Sequence, residues 1–135
     1  MKEGEALRSV TKQITQEAIS EYAVASGDMN PIHVDQGFAA RSQFGGTIAH
    51  GMMVAASVSE MMSAEFGMDW IESGRLKLRF RAPVYTGSEV TAYGQVKRVR
   101  AADGGSEIVC SVGVRNESGD DAVTGEATVK TESPS

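Results

Sequence analysis

Apolar positions recur with two different periods along the chain, and the change of period divides it. Residues 51–66, "GMMVAASVSEMMSAEF", are apolar on nearly every face, contain no proline and stop at Gly67. A helix of that pattern has to be surrounded by other apolar surface, so a long buried central helix is expected here. Upstream, "TQEAISEYAVASG" sets Ile19, Tyr22 and Ala23 on one helical face, with Thr15 placed to cap the start and Gly27 the end. A further short helical turn carrying Phe38 and Ala39 is expected after Asp35, which is a suitable N-cap.

Beyond the central helix the period falls to two. "GRLKLRFRAPV", "SEVTAYGQVKRV", "SEIVCSVGVRN" and "DAVTGEATVK" alternate over much of their length and read as four strands. The breaks "YTG", "AADGG" and "ESGD" are turn chemistry of about hairpin length, so an antiparallel meander is expected. In "RLKLRFR", Arg75, Lys77, Arg79 and Arg81 read as the wet face of a half-buried strand whose Leu76, Leu78 and Phe80 point inward. Cys110 alternates with Ile108, Val112 and Val114, which makes it a buried strand residue rather than a reactive thiol. A buried helix followed by such a meander belongs to the α+β class, a curled antiparallel sheet wrapped around the helix. The stretch before Thr15 alternates only weakly, and "TESPS" at the end is expected to fray.

Composition narrows the picture. A chain of 135 residues is near the common size of one domain, here taken as residues 1–135. No apolar run free of charge is long enough to span a bilayer, and "MKEGEALRSVTK" lacks the uninterrupted apolar segment of a secretory signal. A cytoplasmic location is therefore expected, and one cysteine cannot form an internal disulfide. A net charge of −5, with no basic block interleaved with aromatics, argues against nucleic acid as a partner.

Candidate chemistry concentrates in "SGDMNPIHVDQGFAARSQFGGTIAHGMM". On one continuous helix Asp28 and His33 would point about 140° apart. Pro31 removes that geometry by forcing Asn30 out of the helical region, so a rigid loop is expected in which both side chains face one point. A carboxylate and an imidazole converging on a small volume can polarise a water and move a proton to or from a nearby carbon. His50 with Asp35 makes no recognised metal-ligand spacing, and no G-x-S-x-G nucleophile turn occurs, so neither metal nor serine chemistry is expected. After "FGG" the central helix begins, and its first amide hydrogens, which lack intrahelical partners, are suited to hold a developing oxyanion. An acid/base pair beside such an end is what adding water to a double bond conjugated to a carbonyl requires, or removing it.

That stretch resembles the hydratase signature of the MaoC-like family, in particular its R-specific enoyl-CoA hydratases, and the likeness continues into "FRAPVYTGSEV". The resemblance implies a hot-dog fold and a homodimer, or a higher homo-oligomer, in which two sheets join edge to edge with an acyl tunnel at the interface. It places the catalytic acid on Asp28, the histidine on His33 and the oxyanion donor on the amide of Gly51. Ser59 matches a serine the family keeps close to the dyad, although a helical serine can equally bond the carbonyl of Ala55 one turn back. Gly46, Asn30 and Met52 join Ser59 as candidate substrate contacts, with Asn30 more readily shaping the turn. His50 is taken as a packing residue, and the Met pairs at 52/53 and 61/62 as core fillers before tunnel lining.

The activity so implied interconverts a trans-2-enoyl-CoA and an (R)-3-hydroxyacyl-CoA with no cofactor. The alternatives are a 3-hydroxyacyl-[acyl carrier protein] dehydratase, an acyl-CoA thioesterase of the same fold, and a noncatalytic acyl-CoA binding module. "DMNPIH" argues against a thioesterase that relies on a lone carboxylate.

Overall fold

The computed structural model describes residues 1–132. Its elements run β1 (Val10–Gln13), α1 (Gln16–Ser26), α2 (Pro31–Val34), α3 (Gln36–Ala40), α4 (Gly51–Phe66), α5 (Met68–Ser73), β2 (Arg75–Phe80), β3 (Glu89–Ala102), β4 (Gly105–Arg115) and β5 (Asp121–Thr131). One antiparallel sheet of five strands in the order β1-β3-β4-β5-β2 carries α4 across it, the α+β hot-dog arrangement.

Local chemistry accounts for the element ends. Thr15 Oγ1 accepts from the Ala18 amide at 3.1 Å, and Gly27 closes α1 at φ 80°, a left-handed conformation that glycine adopts without strain. Asp35 caps α3 by accepting from the Phe38 amide at 3.0 Å. Asp103 and Gly104 turn β3 into β4, with Ala102 facing Gly105 across the pair. At the next turn the Asn116 side chain accepts from the amides of Ser118 and Asp120, each at 3.0 Å.

Three expectations need correcting. The four strands do not form one meander, because β2 pairs with β5, from Arg75 opposite Thr128 to Phe80 opposite Val123, and not with β3. "YTG" is therefore no hairpin. Residues 81–88 instead cross from the β2 edge of the sheet to β3, next to the opposite edge strand β1, held by Ala49 N–H to Val84 O (2.8 Å), Thr86 N–H to Thr47 O (3.1 Å) and Gly87 N–H to Ile14 O (2.7 Å). Pro83, which has no amide hydrogen, lies in this crossing rather than in a ladder.

The second correction follows from the first. As an edge strand β2 is open on both faces, and Leu76 and Phe80 are exposed with only Leu78 half-buried. The third concerns α4, which is covered on one side only. Val54, Ala55, Val58, Met61 and Met62 pack on the sheet, whereas Met52, Ala56 and Glu60 face out. Of the methionine pairs, 61/62 fill the core, Met53 is half-buried and Met52 is 66% exposed.

Cys110 is buried on β4, and burial pushes its thiol up to about 11. Thr131 still pairs in β5, opposite Ser106, so the tail is ordered at least that far; the rest of the expected fraying falls on 133–135, outside the described residues. Among the described residues no helix is long and apolar enough to cross a membrane.

Candidate active site

Pro31 does not hold its segment in a loop; it opens a helical turn. Proline fixes φ near the helical value and lacks the one amide hydrogen that a first-turn residue has no use for, so it is well placed at the start of α2. Asn30 is the cap, its Oδ1 accepting from the Ile32 amide at 3.0 Å. Asn30 thus shapes the turn. Asp28 lies just before it, after Gly27 has ended α1, so Asp28 and His33 belong to no common helix and can face each other.

His33 is held through both its main chain and its ring. Gln16 on α1 donates from Nε2 to the His33 carbonyl at 2.9 Å and accepts from Thr47 Oγ1 at 2.7 Å, tying α2 to the segment that precedes α4. The ring's Nδ1 lies 2.8 Å from the Ile48 carbonyl. A carbonyl only accepts, so Nδ1 carries the hydrogen, and in the neutral ring Nε2 keeps its lone pair. That nitrogen faces Asp28 Oδ2 at 4.0 Å. The gap is too wide for a direct hydrogen bond. Asp28 Oδ1 is occupied by the Asn30 amide at 3.2 Å, so Oδ2 is the oxygen turned toward His33. His33 is buried, whereas the Asp28 side chain is 55% exposed, so the pair straddles the boundary between protein and solvent.

His50 belongs to the same cluster. Its ring stacks on that of His33, centroids 3.8 Å apart and planes inclined by 23°, and its Nε2 donates to the Asp28 carbonyl at 2.9 Å. Asp28, His33 and His50 each bring one potential ligand atom to within 4.8 Å of the others. A metal bound by an imidazole lies in the ring plane. Two rings stacked nearly parallel direct their lone pairs side by side rather than toward one ion, so the donor geometry does not suit a shared metal.

Gly51 opens α4, and its neighbour His50 makes no side-chain cap, so the first amides of the helix are left for another acceptor. A Cβ at position 51 would stand 3.0 Å from Cε1 of Phe80. Two depressions meet here. One, of about 330 Å³, is lined by Phe44, Ile48, Val54, Val84 and Val123 among others; the second, of about 390 Å³, by Tyr22, Ser26, Asp28, His50 and Met52. His33, Gly51 and Phe80 border both. An apolar chain can lie in the first, and the polar groups of Asp28, His33 and His50 gather at the second.

The remaining candidates separate. Met52 borders the dyad's depression, but Gly46 stands against the Tyr85 ring instead. Ser59 is placed differently from the expectation. Eight residues along α4 from Gly51, it accepts from Trp70 Nε1–H at 3.0 Å and lines a separate depression with Ser63, Ile71 and Leu76. Within one chain it is a partner of α5, not of the dyad. Sequence spacing missed Phe80 at the junction, assigning it to the core, and gave His50 only a packing role. Phe80 carries no motif, whereas a second histidine directly before Gly51 was a usable signal.

Residues 2–118 match the model of the MaoC like domain family. The chain is 34% identical over 124 residues to the (R)-specific enoyl-CoA hydratase of Aeromonas caviae, covering 90% of this chain and 89% of that protein. It is 34% identical over 123 residues to the 3-hydroxybutyryl-CoA dehydratase of Methylorubrum extorquens, covering 88% of this chain and 74% of that one. The solved structure of an (R)-hydratase from A. caviae superposes with a TM-score of 0.84 at 29% identity, covering 96% of each chain. An R-hydratase from Pseudomonas aeruginosa, in its unliganded form, also gives 0.84, at 28% identity over 99% of this chain and 83% of that one. Together with the hot-dog sheet and the paired Asp28 and His33, these matches show that the chain belongs to the MaoC-like domain family.

Proposed function

We propose that this protein is a lyase that reversibly adds water to a trans-2-enoyl-CoA to give the (R)-3-hydroxyacyl-CoA, with Asp28, His33 and the Gly51 amide as its catalytic groups. The observation that carries this function is the 4.0 Å gap between two acceptors, His33 Nε2 and Asp28 Oδ2. A water 2.8 Å from each would see them at an angle of about 90°, close enough to its own bond angle to give one hydrogen to each. Its lone pairs then face outward, toward C3 of a bound enoyl thioester.

As the water oxygen bonds to C3, one of its protons passes to the pair. The C2–C3 π electrons move toward the thioester carbonyl, and the Gly51 N–H bears the charge that gathers on its oxygen. C2 then takes a proton from the pair, so that water has been added across the double bond with no change of overall oxidation state. The apolar depression bounded by Val54, Val84 and Val123 supplies the place for the acyl chain.

A homodimer is part of the same proposal. The outer edge of β2 is unpaired within the sheet, and of the exposed residues on it Phe80 borders a depression with Met52 of α4 and Leu76 one with Ser59 and Ser63. Joining two such edges covers them at once. A cytoplasmic site of action is in keeping with a fold that uses no disulfide, its lone cysteine, Cys110, being buried in the core.

Crotonyl-CoA in deuterated water tests the reaction. If the pair supplies water and proton from one side of the enoyl plane, the product is (R)-3-hydroxybutyryl-CoA with one deuterium at C2, syn to the new hydroxyl, and little free CoA. Release of CoA thiol in step with loss of the enoyl absorbance would instead make the protein a thioesterase, and saturable binding without turnover a binding module.

A further inference from the structure

We propose that His50 is a positioning residue of the hydration site, fixing Asp28 relative to His33 and to the amide of Gly51. Its role presupposes the hydration reaction proposed above.

The ring of His50 touches three parts of the site. Through Nε2–H it bonds the Asp28 carbonyl at 2.9 Å, and its face lies on His33 at 3.8 Å. Its other contact is the ring of Tyr22 on α1, at 4.8 Å and 54°. Its own backbone is the cap of α4, where its carbonyl accepts from Val54 N–H at 3.2 Å, so the ring is rigidly coupled to the helix end that begins with Gly51.

Asp28 needs such a tether more than His33 does. His33 is anchored by Ile48 and Gln16, as described, from outside its own segment. The other bonds at Asp28 are local: its amide to Ser26 Oγ at 3.2 Å and its Oδ1 from the Asn30 amide at 3.2 Å. Such bonds shape a turn without fixing it to the body of the protein. The bond from His50 crosses to another element, and so sets where the Asp28 carboxylate stands.

Packing alone does not explain an imidazole here. His50 is only 3% exposed, and its Nδ1 is buried with no hydrogen-bond partner among the described residues. A phenylalanine would fill a similar space and stack on His33 without burying an unpaired nitrogen, which is unfavourable. What the imidazole has and phenylalanine lacks is the Nε2–H that reaches Asp28.

Two variants separate these roles. His50→Phe keeps a ring against His33 and loses the donor, whereas His50→Gln loses the ring and keeps an N–H close to the place of Nε2. Positioning predicts that His50→Phe lowers kcat for crotonyl-CoA about tenfold or more with KM changed less than about threefold, since small displacements of reacting groups act on the chemical step. His50→Gln should recover most of that loss. The reverse order, activity kept by Phe and lost with thermal stability by Gln, would return His50 to packing and overturn the proposal. Amide hydrogen exchange at Asn30 and Ile32 gives a readout independent of turnover: it should be faster in His50→Phe than in wild type, and equal rates would sink the tether. If the wild-type protein turned over no enoyl-CoA, the hydratase function would fall, and the exchange comparison would still decide whether His50 holds the Asp28 turn.

Discussion

Asp28→Asn is the sharpest perturbation of the site because it changes one atom's role and little else. In the native protein Oδ1 accepts from the Asn30 amide at 3.2 Å, and the main-chain carbonyl accepts from His50 at 2.9 Å. Asparagine keeps both bonds when its own Oδ1 stays with Asn30. The atom facing His33 across 4.0 Å then becomes an amide nitrogen, a donor where the bridging water needs an acceptor. The water can no longer give one hydrogen to each side, and the carboxylate charge that favours proton loss is gone. General acid–base groups contribute about 10²–10⁴-fold, so kcat should fall by at least about a hundredfold, or roughly 2.7 kcal/mol of barrier. The side chain is 55% exposed, and substitutions of that kind leave stability within about 0.5 kcal/mol. The loss should therefore appear without a matching loss of fold. The assay follows enoyl-thioester absorbance with crotonyl-CoA, alongside thermal unfolding of the same samples. His33→Gln should lose a comparable amount, and the double variant should be hardly slower than the worse single one, because both groups act on one water. Near wild-type turnover in folded Asp28→Asn, or losses that multiply in the double variant, would refute a shared water.

Two further outcomes are expected. Sedimentation at micromolar concentration should show a species of twice the chain mass, and a 14.3 kDa species alone would contradict edge-to-edge pairing through β2. Cys110, whose thiol burial raises from an ordinary 9.0 to about 11, should resist a thiol reagent at pH 8 until the protein is unfolded; because the unfolded thiol ionises first, stability should decline as pH rises between those values.

The elements that could be read from the sequence were those whose reasons are local. Thr15, Gly27 and Asp35 act within a few residues of themselves, and the turns at Asp103–Gly104 and Asn116 need nothing beyond their own chemistry. The strand partner of β2 is a different kind of fact. Its alternation, Leu76, Leu78 and Phe80 against Arg75, Lys77 and Arg79, would look the same beside β3 or beside β5. What decides is the crossing of residues 81–88, pinned to Thr47, Ala49 and Ile14, and those contacts are distant in sequence. The exposure of Leu76 and Phe80 follows from that choice of neighbour, and so could not be read before it.

The same division runs through the site. Asp28 and His33 were legible because Pro31 lies between them and restricts the backbone of both itself and Asn30, although whether it made a loop or opened a helix depended on Asn30 accepting from Ile32. Ser59 was linked to the dyad by the family resemblance; within one chain a helix advances about 1.5 Å per residue, so eight residues place it about 12 Å from Gly51. Its bond to Trp70 is what that distance allows. His50 shows a different limit of reading by sequence. Its weight as a packing residue came from its being a single histidine at a helix start, yet a ring there inherits the orientation of the helix end and can act on whatever turn the fold sets opposite. Here that turn contains Asp28, and the contact spans 22 residues of sequence, with no periodicity to announce it. Where a catalytic pair sits on a short segment held mainly by its own turn bonds, the residue that fixes the pair should be sought on the nearest rigid element, and the start of α4 is that element here.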